Sequence, residues 1–408
     1  MAPLAAPAVT GQRTRGRLRA LPLRVLRGVA LALYALLLGE LFVRVFCPQP
    51  VMPRYVTGTS YGVRANIPHA HYWHHTPEVD VEYRINGQGM RADHDYPLNK
   101  APGTCRVAVF GDSLMMGYEV DLRDDFSSQL EQLLRARGYR AEVLNFAVSG
   151  FGTAEMLRTY EAFARQFHPD VVLFSWHVTD MEDNVRSGLY RLRDGQLESA
   201  NATYLPGVRT QDLLMRSALY RLVADHSQLY SLIRERFGLF LKGLVVVARQ
   251  DRASAKRAVS DDPDDPDHGD DDAVRAALRR ANAALSSAIV AHAAQVVAAD
   301  GKDFYLVEAP IRVSRTKFRS SVDALSSEVR SHLTIISPLA AFRGAARPDL
   351  KLYYEEGEGH LTPLGVHLLA SEAAKVLAGA PHLAACNANT TTATTARVAS
   401  APAALKRR

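Results

Sequence analysis

The chain has 408 residues, 47% of them hydrophobic, and a formal net charge of +6. That supplies one large core or two modest ones, and it excludes a disordered or fibrous chain. The positive excess is concentrated in Arg13, Arg15, Arg17, Arg19, Arg24 and Arg27, ahead of an apolar segment. This is a topology signal and not a nucleic-acid surface, since no aromatic-interleaved basic patch follows elsewhere.

Residues 1–24 read as a basic cytoplasmic tail, and 1–20 as disordered. Residues 25–47 read as a membrane anchor: Gly28 to Phe46 is apolar apart from Glu40 and Arg44, and about 20 such residues span a bilayer. Glu40 and Arg44 stand four apart, so they can pair near the outer end. No small-residue cleavage site follows, which indicates an uncleaved, single-pass anchor in the inner membrane. The arginines stay cytoplasmic and residues 48–408 face outward. Phe46 before Cys47 is too large for lipoprotein processing. The three cysteines, Cys47, Cys105 and Cys386, show neither metal-ligand spacing nor a disulfide framework, and Cys105 is expected to be buried.

Residues 48–100 form a lead-in with Pro, His and aromatic residues. Alternation from Val79 to Ile85 predicts a strand, and Asn86-Gly87-Gln88-Gly89 a turn. His69, His71, His74 and His75 lack the cysteines and clustered acids of a metal site, so a packed segment is expected.

A domain over 101–382 follows. Strands are predicted at 106–110, 141–146, 170–175, 303–308 and 332–337, and helices at 124–137, 153–167, 273–298 and 363–378. Strands separated by helices predict an α/β fold with a parallel sheet covered on both faces. An insertion over 185–272 holds apolar runs between 211 and 247 at helical spacing, expected to pack near the sheet or to cap the site; Gly243 to Ala248 is apolar enough to touch membrane, with a buried helix the favoured reading. Its acidic run 260–272 lacks the ordered alternation and closing Glu of a calcium loop and reads as a solvated, disordered stretch. The tail 383–408 is low in complexity and reads the same way.

The chemistry gathers in four blocks. Gly111-Asp112-Ser113-Leu114 follows the first strand, where a sharp turn toward a helix presents a side chain at the carboxyl edge of the sheet. Asn145 to Gly152 closes the second strand. Thr179, Asp180 and Asn184 follow the third. Glu358-Gly359-His360 leads into the last helix. A serine near neutral pH is a poor nucleophile unless an imidazole takes its proton, and the tetrahedral intermediate needs aimed donors.

In this order the blocks resemble the SGNH/GDSL hydrolase family, most of all its membrane-anchored bacterial branch, in which an Asn-x-x-Gly-x-Arg segment precedes the nucleophile; here it runs from Asn86 to Arg91. The resemblance covers about residues 80–180 and 303–378. It implies a flavodoxin-like three-layer α/β/α sandwich and hydrolysis or transfer of acyl esters, with no metal and no cofactor. It implies Ser113 as nucleophile, His360 as general base, Glu358 as the orienting acid, and Ser113, Gly150 and Thr179 as oxyanion donors. Asp112, Asp180 and Asn184 are expected in support.

Two positions depart from the pattern. Val178-Thr179-Asp180 stands where Gly-Asn-Asp is usual, so a short hydroxyl, or Asn184 or His177, replaces the oxyanion amide. The orienting acid is usually Asp two or three positions before the histidine; Gly357 and Glu358 stand there, with Asp180 a weaker alternative. The expected partners are a bilayer, through the N-terminal helix, and an acylated, foremost acetylated, envelope glycan or lipid, with no nucleic acid. The rival is a degenerate module that binds glycan or assembles an envelope complex without catalysis. A nucleotide-binding α/β protein is the weaker third reading, because Gly150-Phe-Gly152 lacks the third glycine of a dinucleotide fingerprint and no phosphate-loop Lys is present.

Overall fold

The computed structural model describes residues 23–249, 271–356 and 359–387. The basic tail 1–22, the acidic run up to residue 270, Glu358 and the tail from 388 lie outside them. The chain divides after Cys47. Ahead of that point is helix α1 (Leu23–Phe46), 24 residues with a mean hydropathy of 2.0 over its most apolar window. At 1.5 Å per residue it is about 36 Å long, enough to cross a bilayer. Arg44 Nε donates to Glu40 Oε1 at 2.7 Å, one turn away.

The domain is built on a parallel sheet. Strand β1 (Cys105–Phe110) is buried at all six positions, as a strand covered on both faces requires. It pairs with β2 (Ala141–Asn145) on one side and β3 (Val171–Trp176) on the other; β4 (Asp303–Glu308) and the short β5 (Ile335–Ile336) extend the sheet. The order is β2-β1-β3-β4-β5, the flavodoxin-like doubly wound arrangement. Connections leave β1 in opposite directions, so a crevice opens beyond the carboxyl ends of β1 and β3.

The helices that position the site are α2 (Phe126–Ala136), α3 (Thr153–Ala162), α4 (Asp180–Ser187), α5 (Gln228–Arg249), α6 (Asp271–Ala299) and α7 (Pro363–Leu377). Strand alternation sends Val107, Val109, Val143 and Leu173 to one face, against Leu130 and Leu134 of α2 and Leu369 and Ala373 of α7. Ala108, Phe110, Leu144 and Phe174 face the other way, against Leu157 of α3 and Ile289 and Ala293 of α6. Phe110 stacks on Phe146 at 5.2 Å between ring centroids. Truncating it to Ala would cost about 3–5 kcal/mol. Helix α6 is apolar enough to cross a membrane by composition, but Ile289, Val290, Ala293 and Val297 are wholly buried, which marks it as a core helix.

The lead-in is part of this core. Strand His71–His75 pairs with Asp80–Arg84, and Tyr72, Val81 and Tyr83 join one face while Val63, Met90 and Tyr96 join the other. His71 and His75 point outward to Glu82 and Asp80, at 2.6 and 2.7 Å.

Two expectations need correction. The cysteines do form a disulfide: Cys105, first residue of β1, bonds to Cys386 beyond α7, with Cα atoms 5.7 Å apart. A sheet whose neighbours are far apart in sequence brings together cysteines that no local spacing relates. The last strand is shorter than 332–337, because Ser327–His332 is a helix capped by Ser326.

Candidate active site

The turn after β1 leaves no room for a side chain at Gly111. A Cβ there would stand 2.5 Å from Met115 Cγ and 2.6 Å from Ser175 Oγ. Asp112 then caps the single helical turn Ser113–Met116, its Oδ1 accepting the Leu114 N–H at 2.9 Å. Ser113 is therefore held at the start of a fixed turn. Asn145 at the end of β2 fixes it further: its amide donates to the Met115 carbonyl at 3.0 Å and its Oδ1 accepts the Ala147 N–H at 3.0 Å.

His360 arrives from the far end of the chain. Its carbonyl accepts the Tyr354 N–H at 2.8 Å. Thr362 caps α7 two residues later, with Pro363 at the first helical position, so the loop ends in a rigid start. The ring meets the serine: His360 Nε2 is 2.7 Å from Ser113 Oγ. On the opposite side of the ring stands Glu119, wholly buried, with Oε2 3.3 Å from Nδ1. The same oxygen accepts the His360 backbone N–H at 3.0 Å, so one carboxylate fixes both backbone and ring. Nδ1 donating to Glu119 leaves the Nε2 lone pair to accept the serine proton.

Glu119 is kept in place by the lead-in. Arg91 is buried and donates to the Met116 carbonyl at 2.8 Å and to those of Gly117 and Val120. Its guanidinium lies 4.2 Å over the Tyr83 ring, and the Tyr83 hydroxyl donates to the carbonyls of Gly117 and Tyr118. The Asn86-to-Arg91 segment thus clamps the loop that carries Glu119. Glu119 belongs to none of the four sequence blocks. The one available signal is its place, six residues after the serine and first of the acids Glu119, Asp121, Asp124 and Asp125.

The remaining site residues sit as follows. Gly150, at φ +75°, lines the same cleft as Ser113 and His360, and its carbonyl accepts from Arg64 at 3.0 Å and Arg186 at 3.2 Å. Thr179 is exposed, with Oγ1 2.9 Å from His177 Nδ1. Asp180 is buried and accepts the His177 N–H at 3.2 Å; burial and the neighbouring Asp112 push its carboxyl well above the ordinary range. Asn184 is committed elsewhere. It accepts from Ala154 N–H and donates to Thr153 and Ser286, at 2.9, 2.8 and 3.0 Å, tying α3, α4 and α6 together. Glu358 lies outside the described residues.

Behind the loop that carries Glu119 is His74, buried and 4.6 Å from the Tyr118 ring, which in turn lies 4.8 Å from His360. Burial pushes the His74 imidazole down to about 4. Burial likewise lowers His177, which feels Asp112 and His360. Ser113 and His360 open into a cleft of about 520 Å³ walled by Tyr55, Arg64, Tyr118, Gln211, Tyr220 and Arg234. A larger hollow, about 650 Å³ between Arg84 and Val143, contains neither.

No protein-family model matches this chain, and neither does any curated protein. Solved structures do match. A member of the lipolytic G-D-S-L family from Veillonella parvula covers 67% of this chain with 99% of its own, at 12% identity and a TM-score of 0.35. A lipase/acylhydrolase from Enterococcus faecalis covers 67% with 96% of its own, at 13% and 0.32. An acetylxylan esterase from Geobacillus stearothermophilus covers 66% with 92% of its own, at 11% and 0.34. The chain resembles the SGNH/GDSL hydrolases. Likenesses this distant add nothing to the chemistry, which rests on the geometry of Ser113, His360 and Glu119.

Proposed function

We propose that this chain is a serine ester hydrolase, tethered by α1 and facing outward, that releases acyl groups, acetyl foremost, from envelope glycans or lipids. The observation that carries the reading is the 2.7 Å contact between Ser113 Oγ and His360 Nε2, with Glu119 on the other ring nitrogen. As Ser113 Oγ attacks the ester carbonyl, its proton passes to Nε2, and Glu119 stabilises the imidazolium that forms. The N–H groups of Ser113 and Gly150 and the Thr179 hydroxyl receive the oxyanion. His177 supports Thr179: with Nδ1 donating to Oγ1, the threonine proton is left for the substrate. The imidazolium returns its proton to the leaving alcohol, and water enters by the same route to discharge the acyl-enzyme.

Tyrosine faces beside Arg and Gln donors suit the apolar faces and hydroxyls of a sugar. The outward orientation is supported by the N-terminal arginines and by the Cys105–Cys386 disulfide, a bond that persists on the oxidising side of a membrane. The same acyl-enzyme can be discharged onto a sugar hydroxyl in place of water, and a cleft of about 520 Å³ has room for that acceptor. A binding-only module would have no use for the serine–imidazole contact.

The test is acyl release from isolated envelope polysaccharide by the full chain and by Ser113→Ala. Release that disappears in the variant supports the reading, as does transfer to an added glycan acceptor that requires Ser113. Equal release by both proteins, or neither release nor transfer by the wild type, refutes it.

A further inference from the structure

The helices inserted between β3 and β4 turn their apolar residues outward. In α5, Ile233, Phe237, Phe240, Leu241 and Leu244 recur along one stripe, and all are exposed, Phe237 and Phe240 by 60% and 61%. Helix Ala218–His226 exposes Leu219, Leu222 and Val223, and Val208–Leu214 exposes Leu213 and Leu214. Among the described residues, those these helices bury are few and mostly small: Ala224 and Ser231, with Val208 at the start of the first. A helix that meets water on its outer face shows the reverse pattern. Two successive helices with this inversion, beside a third that leaves Leu213 and Leu214 outside, mark a surface covered by something apolar.

Charge and position identify the cover. Residues 208–249 hold seven Lys and Arg against three Asp and Glu, and Arg209, Arg216, Arg221 and Arg236 are exposed among the leucines and phenylalanines. That combination fits anionic lipid headgroups above an acyl-chain boundary. The insertion is also fastened where the chain enters the domain. Gln49 N–H donates to Gln228 Oε1, at the start of α5, at 3.1 Å. Pro50, Met52 and Pro53 line the cleft with Met215, Tyr220 and Leu239. Helix α1 ends at Phe46. Gln49 is three residues on, and at about 3.5 Å per residue the chain reaches no more than about 11 Å in between. With α1 across a bilayer, α5 starts at its surface.

We propose that helices 208–249 lie on the bilayer as an amphipathic cap, with the apolar stripe at the acyl-chain boundary and the arginines among anionic headgroups. The cleft of Ser113, walled by other residues of the same helices, then opens at the membrane surface and draws its substrate from lipid-linked or membrane-bound acyl compounds. The cap rests on α1 spanning a membrane and stands without the ester chemistry at Ser113; only the membrane-side source of substrate rests on that proposed function as well.

The test uses the full chain, carrying Cys47→Ser, in vesicles of phosphatidylethanolamine and phosphatidylglycerol. A polarity-sensitive nitrobenzoxadiazole label is attached through Phe237→Cys, or through Phe240→Cys as a second position, and through Asp323→Cys as an exposed reference outside the insertion. The cap predicts blue-shifted emission at 237 and 240, quenched by doxyl lipid several-fold more than at 323. Quenching no greater than at 323 overturns it. So does blue-shifted emission that doxyl lipid leaves unquenched, since the stripe would then be covered by protein, either a second copy or another partner.

Discussion

Glu119 Oε2 contacts His360 twice, at 3.0 Å through the backbone N–H and at 3.3 Å through Nδ1. The carboxylate beside the imidazole therefore comes from the loop that follows Ser113, and in the proposed chemistry it is this acid that orients the base. Glu119→Gln keeps the shape but cannot stabilise the imidazolium, so turnover is expected to fall by about 10²–10⁴ with KM little changed. Glu358→Gln is expected to stay within about threefold of wild type on the same short-chain ester. Steady-state kinetics of the two variants decide it, and the opposite ranking would return the role to Glu358.

Arg91 supplies the donors that hold this loop. Arg91→Lys offers one compact ammonium in place of a planar fork. It leaves carbonyls among Met116, Gly117 and Val120 short of partners, each costing about 1–3 kcal/mol. The variant should melt earlier, and its residual activity should show reduced turnover, because Glu119 loses its position. Thermal melts and kinetics on one preparation check both, and an unchanged melting temperature would dismiss the clamp.

The Cys105–Cys386 bond ties the first strand to the chain end across 281 residues. Cys386→Ser should cost about 2–5 kcal/mol. The difference in melting temperature from wild type should vanish when both are reduced. Equal melting temperatures without reductant would show that the bond does not form.

His74 makes stability depend on pH in a defined direction. Its folded pKa, about 4, lies below the ordinary value of 6.5, because burial outweighs the attraction of Glu119 while His360 and His75 add repulsion. Below pH 6.5 the unfolded chain takes up a proton that the folded chain refuses. The contribution is whole above 6.5 and is lost as pH falls toward 4, about 3 kcal/mol in total. Asp125, raised to about 6 by burial, acts in the opposite sense over part of the window. The measurement is therefore the difference between wild type and His74→Phe in urea unfolding across that range. It should shift against wild type on acidification, and parallel profiles would contradict the assignment.

The sheet was legible because buried strands announce themselves. The runs at 106–110 and 303–308 coincide with β1 and β4 to within a residue, since apolar runs bounded by turns have few other uses. Ser113 and His360 stood in motifs whose order after the strands implies a common edge. Glu119 was not legible: a single carboxylate in a loop has no periodicity, and only the fold shows what it faces. Nor was the disulfide, whose partners share no local pattern. In α5 the period was readable but its direction was not, because helical spacing fixes which residues share a face and leaves open whether that face meets core or lipid.

The central claim is that Ser113 is an activated nucleophile. Intact-mass and peptide analysis of the full chain after treatment with a fluorophosphonate reads it directly. The account predicts one adduct, on Ser113, absent from Ser113→Ala and slowed by about 10²-fold or more in His360→Ala. A wild-type chain that stays unlabelled, or an adduct that persists in Ser113→Ala, would contradict it.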